Sequence, residues 1–280
     1  MAYGILHAFY PNGEVAQLVE QRTHKPWVEG SIPSFATTSK MKSRLPFPIL
    51  YEDRDVVVID KPAGMLTTHT RAKESNTAEE WLNDYVRKGQ AKSRLHVWLV
   101  HRLDRETSGV MMFAKSEAVA EAFRANWNEL TEKTYLARVE GELAEDKGVF
   151  ESYLQEDSDG YKVRSVPVPS KPPKPSKLSK LPKLPKLART EWRKLGIEDG
   201  TTLVEVSLKS GRKNQIRVHF SEAGHPVVGD VKYGAQKASR LYLHSARLRF
   251  KHPHTGAWLA FASRPSRPSK PPKPSKPLFS

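Results

Sequence analysis

The stretch VWLV-HRLDRETSG-VMMF runs from Val97 to Phe113 and sets two apolar runs around nine residues, His101 to Gly109. Those nine carry two carboxylates, two arginines, a histidine and two hydroxyls. Short apolar runs bounded by polar segments are strand candidates, so the polar stretch reads as a loop presented by a sheet. Asp104 stands between Arg102 and Arg105 in sequence, and a guanidinium held beside a carboxylate favours its ionised form. That form suits a nucleophile or a general base better than a general acid. A structural ion-pair turn explains the same composition, so residue chemistry alone leaves the two readings level.

Working outward, Val56 to Ile59 forms a buried-strand candidate that ends at Lys61-Pro62-Ala63-Gly64, a breaker signal. Thr77 followed by Glu80 fits a capping box, with Trp81, Leu82, Tyr85 and Val86 at helical spacing behind it. Ser116 predicts the start of a helix through about Leu130, with Val119, Ala122, Phe123 and Trp127 facing the core. Strands are predicted at Thr134 to Val139, Leu203 to Leu208, Leu241 to Phe250 and Trp258 to Ala262. In the second of these, Leu203, Glu205 and Ser207 alternate with Val204, Val206 and Leu208. By period alone, Asn214 to Phe220 is either a strand or a helical turn. Many strands with segregated helices argue an α+β fold rather than a doubly wound sheet.

A chain of 280 residues can bury a substantial core in one or two domains. It has no cysteine, which excludes disulfides and thiolate metal sites and fits a reducing compartment. No window carries the apolar run of a membrane helix, and the N-terminus lacks a secretory layout. The formal charge of +15 suggests a polyanionic partner. Eleven of those charges, however, lie in two proline-rich runs. One has lysine at 171, 174, 177, 180, 183 and 186; the other has Arg264, Arg267, Lys270, Lys273 and Lys276. Both contain the octapeptide SKPPKPSK, and the rest of the chain keeps only +4. Proline excludes helix interior and central strand there. A polyproline II run would align these charges along one edge, where they could track phosphates; a solubilising spacer is an equal reading. The expected organisation is an extension at 1–40, a catalytic domain at 41–262 interrupted by an insertion at about 169–187, and a basic tail at 263–280. GEVAQLVEQRTHKPWVEGSIPS, within the extension, resembles the product of a transfer-RNA gene read as protein, so translation is expected to start at Met41, or the extension to be disordered if the long form is made.

HRLDRETSG resembles the central motif of the RluA-like family, the large-subunit-type pseudouridine synthases. Three further segments resemble the same family in order: VVVIDKPAGMLTTH at 56–69, EKTYLARVEGEL at 132–143, and GRKNQIRVHFSEAGHPVVGDVKYG at 211–234, with LYLHSARLRFKHPHTG following. The resemblance covers roughly residues 48–262 apart from the insertion. It implies a mixed, mostly antiparallel sheet in two subdomains with a central catalytic cleft, and a short helix at Asn214 to Phe220. It also implies isomerisation of uridine in ribosomal or transfer RNA to pseudouridine, a reaction without redox change or net hydrolysis, for which no metal or cofactor is expected. A catalytically inactive RNA-binding protein on the same scaffold is the alternative.

Residue by residue, the resemblance makes Asp104 the catalytic aspartate, Tyr135 the active-site tyrosine, and Arg217 the arginine that pairs with the aspartate, here expected as a bidentate pair. Arg102 matches the residue that enters the RNA stack in place of a flipped base. Ile216 and Leu243 are candidate walls of a uracil pocket, with core packing at least as good an account of each. His101, Arg105, Asn214 and Arg212 are further candidates for RNA contact. Asn214 departs from the family's common histidine, giving NQIR rather than HQIR, and reads as a support-role substitution. Arg124, Lys133, Arg212 and Lys213 could touch phosphates, although solvated surface accounts for exposed charge more simply. His101, His219, His225 and His244 have no metal-ligand spacing. A cytoplasmic monomer acting on RNA, with no membrane partner, is expected.

Overall fold

Two strands fix the centre of the sheet. Val56–Lys61 (β3) pairs antiparallel with Ser108–Ala114 (β5), setting Val57 opposite Phe113 and Ile59 opposite Met111. All of β5 is buried, as is all of β3 except Asp60. Such continuous apolar runs belong to strands covered on both faces. Val57, Ile59, Met111 and Phe113 join one core with Leu82 and Tyr85 of helix α1 (Ala78–Arg87). Val56, Val58, Val110 and Met112 join the opposite core with Ala120 and Phe123 of helix α2 (Glu117–Ala125).

The computed structural model describes residues 17–20, 45–69, 76–88, 90, 92–157, 160–167, 184–208 and 210–265. The sheet they form has twelve strands. Besides β3 and β5 these are β1 (Gln17–Glu20), β2 (Ile49–Glu52), β4 (Trp98–Leu99), β6 (Thr131–Glu140), β7 (Lys147–Glu156) and β8 (Val163–Val166). The remainder are β9 (Lys186–Glu198), β10 (Thr201–Leu208), β11 (Leu243–Lys251) and β12 (Trp258–Ala262). The order is β2-β3-β5-β11-β6-β10-β9-β7-β8, with β4 on β5, β12 on β11 and β1 on β12. Among the pairings of the described strands, only the short β5–β11 pairing is parallel, so the mixed and mostly antiparallel α+β expectation holds. The middle strands β6 and β11 separate two flanks. On the far flank, helix α4 (Gln215–Glu222) packs Val218 against Leu154, Val163 and Ala188.

Local signals place several elements. Thr77 and Glu80 form the reciprocal capping box of α1. Ser116 caps α2, but that helix ends at Ala125, five residues before the expected limit. Asn126 leaves helical geometry at φ −124°, and a separate turn α3 (Trp127–Leu130) follows. Ala122, expected in the core, faces solvent. Lys186 and Leu187, counted with the insertion, already pair with Leu154 and Tyr153 in β9.

Within the first forty residues, only the strand 17–20 is described, pairing antiparallel with β12. The rest of that segment, Met41, and the basic runs at 168–183 and 266–280 lie outside the described residues. No described helix is long and apolar enough to cross a membrane.

Candidate active site

The loop between β4 and β5 is pinned at its backbone, which leaves the side chain of Asp104 free to face outward. Thr67 Oγ1 donates to the carbonyl of Leu103 at 2.9 Å and accepts the N–H of Leu103 at 3.2 Å. The carbonyl of Arg105 accepts from the backbone N–H of Gly64 at 2.9 Å and from Lys61 Nζ at 3.1 Å. Lys61 is fully buried, and its ammonium also donates to the carbonyls of Pro62 and Met65 at 2.9 and 2.7 Å. Burial pushes its pKa down to about 8. The loop then closes on Gly109, which has φ +114°; a Cβ there would sit 2.3 Å from the backbone oxygen of Ser245. Only glycine permits this approach of β5 to β11.

Asp104, with 31% of its side chain exposed, lines a cleft of about 630 Å³. Lining residues come from both flanks and from the middle of the sheet: Arg102 and Asp104 from the loop, Tyr135 from β6, Ile216 and Arg217 from α4, and Leu243 from β11. The three residues expected to act together are therefore in one place.

Their pairing differs from expectation. Arg217 gives its bidentate fork to Asp230, with Nε and Nη2 each 2.6 Å from a carboxylate oxygen. Asp104 receives only the remaining Nη1, at 3.6 Å. Asp230 is sealed from solvent and takes the Nε–Nη2 edge of the planar guanidinium, which leaves Nη1 for the second carboxylate. Burial alone would lower the pKa of Arg217, but the hydrogen bonds and charge of Asp230 carry it above the ordinary arginine value. The guanidinium also packs over the Tyr233 ring at 5.1 Å.

Asn214 occupies the left-handed region at φ +53°, which asparagine tolerates better than most residues. Its Nδ2 donates to Tyr233 Oη at 3.0 Å, and its Oδ1 lies 3.4 Å from Arg217 Nη1. It thus braces the arginine, in line with a supporting role. Gln215 fixes the start of α4. Its Oε1 accepts from Ser210 Oγ and the N–H of Arg212, and its Nε2 donates to the carbonyl of Arg189 and to Thr190 Oγ1.

Tyr135 is buried on β6. Burial, with the nearby Asp104 carboxylate adding to it, raises its pKa well above the ordinary phenol value. The hydroxyl is therefore protonated at neutral pH and is a poor base. Ile216 and Leu243 line the cleft and also belong to the main core.

The other expected contacts divide. Arg102 is exposed at the cleft, and Arg212 lines it while donating through Nε to the carbonyl of Leu187 at 3.1 Å. Arg105 is exposed but outside the lining residues; its contribution to the site is the backbone carbonyl. His101 reaches the cleft wall with its ring turned inward. It stacks on Trp127 at 4.7 Å, and its Nε2 accepts the N–H of Met112 at 3.0 Å. Burial, then the charge of Lys133, pushes its pKa down to about 3, so it is a neutral brace rather than a charged RNA contact.

Asp230, Tyr233, Thr67, Lys61 and Gln215 complete the support and were not singled out in the sequence. Tyr233 and Asp230 lie within the GDVKYG segment, but nothing in its spacing reveals which arginine it meets. Among the described residues, Asp53, Asp55 and His252 form a group with metal-ligand proximity, outside the cleft lining. Asp53 is already engaged there by Tyr51 Oη at 2.8 Å, by His252 Nε2 at 2.7 Å and by two backbone N–H groups, tying the β2–β3 turn to the β11–β12 turn.

The α+β sheet that carries this cleft is also the fold of known RNA pseudouridine synthases. The family described as RNA pseudouridylate synthase matches residues 55–222. The dual-specificity RNA pseudouridine synthase RluA of Yersinia pestis is 33% identical over 221 residues, covering 76% of this chain and 96% of that protein. The tRNA pseudouridine synthase C of Haemophilus ducreyi is 34% identical over 223 residues, covering 74% and 86%. The solved structure of human RNA pseudouridylate synthase domain containing 4 shares the fold, with a TM-score of 0.63 at 24% identity, covering 81% of this chain and 91% of that one. The chain belongs to the RNA pseudouridylate synthase family. Within it, the chain is an RluA-like enzyme, an RNA pseudouridine synthase.

Proposed function

We propose that Asp104 is the nucleophile that isomerises a flipped-out uridine in transfer or ribosomal RNA. In this reaction the N1–C1′ bond breaks, the base turns, C5 bonds to C1′, the C5 proton passes to water, and N1 takes up a proton in exchange. A carboxylate serves by attacking C1′, by adding to the base, or by assisting elimination at the sugar, and the reading requires no choice among them. The observation that carries it is the partly exposed Asp104 carboxylate in the cleft, 3.6 Å from a guanidinium anchored elsewhere.

Tyr135 supplies a ring against which the uracil stacks, and its protonated hydroxyl orients rather than removes protons. Arg217 places positive charge beside Asp104 without neutralising it in a tight pair. Arg102, exposed at the cleft, takes the place of the everted base, offsetting an unstacking cost of a few kcal/mol. The relative named for transfer RNA and the one named for dual specificity make those RNA pools the first to search.

Mapping pseudouridines across total cellular RNA with and without the gene tests the reading and names the target. One or a few positions should lose the modification, and restoration of the wild-type gene should return it. An unchanged map would refute it.

A further inference from the structure

We propose that Lys133, Arg212 and Arg124 form a phosphate-binding subsite at one end of the catalytic cleft, which grips the RNA backbone beside the target uridine. The inference rests on the reading that this cleft holds that uridine.

Lys133 is only 8% exposed, yet its ammonium makes no hydrogen bond or ion pair among the described residues. Its one favourable contact is the Trp127 ring, 5.4 Å from Nζ. The Nζ is not sealed in the interior: it opens onto the cleft with its donors unused by the described residues, so an anion entering there would meet them. Burial and the charge of Arg212 both push the lysine's pKa down, to about 8, and an anion would reverse that push.

Lys133 lines the same cleft as Asp104, and two arginines join it there. Arg212 is fixed by its Nε bond to Leu187, and its terminal amino groups have no hydrogen-bond partner among the described residues. Arg124 is fixed by two bonds to the carbonyl of Leu99, at 2.9 and 2.6 Å. Two arginines held by backbone anchors and a lysine set against the Trp127 ring, with no acid among their bonded partners, fit a phosphodiester better than a base carbonyl. Glu156, the other carboxylate in the lining, is paired with Lys213 at 3.5 Å.

The spacing is right for one nucleotide. Lys133 and Tyr135 sit two residues apart on β6 and share its buried face, roughly 7 Å along the strand. A base on Tyr135 thus leaves its own or the adjoining phosphate near Lys133. Gly211 leaves the space: a Cβ at that position would lie 3.1 Å from Lys133 Nζ.

The test measures binding of unmodified, in vitro transcribed transfer and ribosomal RNA to the full chain, from low to physiological salt. Lys133→Gln should weaken binding about tenfold at low salt and reduce the salt slope by about 0.7–0.9, the change for one lost phosphate contact. It should leave the melting temperature of the free protein close to that of wild type, because no hydrogen bond or ion pair to a described residue is lost. A neutral methylphosphonate beside the target uridine should cost the wild type a similar factor and Lys133→Gln nothing further. Unchanged affinity and slope in Lys133→Gln would overturn the proposal. So would a methylphosphonate penalty that adds in full to that of the variant, or a lowered melting temperature with an unchanged slope. Failure of the wild type to isomerise any RNA would instead defeat the reading of the cleft, and the salt slope would still report on the subsite.

Discussion

Asp104 and Asp230 share one guanidinium and are held in opposite ways. Asp230 has no exposed surface and takes two 2.6 Å bonds from Arg217; Asp104 is 31% exposed and meets the same group only at 3.6 Å. A carboxylate sealed in a bidentate pair has its oxygens committed and cannot meet a substrate. One that is open and loosely paired can. The strong pair therefore marks the anchor, and the weak one the carboxylate left open to the cleft. Arg217 is rigid because of Asp230 and useful because of Asp104.

The largest effect should come from breaking the anchor. Asp230→Asn leaves a buried guanidinium without its counter-charge, a loss of about 3–5 kcal/mol. In a chain of this size that lowers the melting temperature by roughly 6–20 °C, as differential scanning fluorimetry would register. A shift comparable to that of Asp104→Asn would erase the contrast between the two aspartates.

The same division between sealed and open polar groups extends to histidine and predicts a pH effect. Burial pushes His101 down to about 3 and His244 down to about 4, against about 6.5 in an unfolded chain. Between those values the unfolded state binds more protons, so stability is full above about pH 6.5 and falls as pH drops toward 4. Urea midpoints across that range should fall accordingly, and His244→Gln should flatten the fall. A midpoint that rises on acidification would contradict the burial of these rings.

A smaller effect is expected at Tyr135. With its hydroxyl protonated and its ring the working part, Tyr135→Phe should retain turnover within about tenfold, whereas loss of a general base costs ~10²–10⁴. A larger loss in single-turnover rate would give the hydroxyl a chemical part. The smallest change should follow Asn214→His. The site is a brace in the left-handed region, where histidine is also tolerated, so turnover should stay within about threefold. A larger change, up or down, would make position 214 more than a support.

Much of this arrangement was legible in the sequence. The apolar flanks of HRLDRETSG gave β5, and the capping box gave the start of α1. The resemblance placed Asp104, Tyr135 and Arg217 in one cleft. What stayed hidden was which charges lose water and whom they meet. Arg217 was matched to Asp104, yet its stronger partner is Asp230, brought over by the turn after α4. Lys61 looked like part of a breaker and is instead a buried donor to three carbonyls, those of Pro62 and Met65 in its own turn and that of Arg105 beside Asp104. Lys133 read as a solvated charge because alternation along a strand cannot show that Trp127 covers it. His101 sits in the key motif but faces inward, since its ring nitrogen serves the N–H of Met112.

The most direct measurement is tritium release from RNA labelled at uridine C5, comparing wild type with Asp104→Asn under single-turnover conditions. The wild type should release label as C5 joins C1′. Asp104→Asn, melting within a few degrees of wild type because its side chain is partly open to solvent, should be slower by ~10³ or more. Release by that variant at the wild-type rate would contradict the assignment of Asp104.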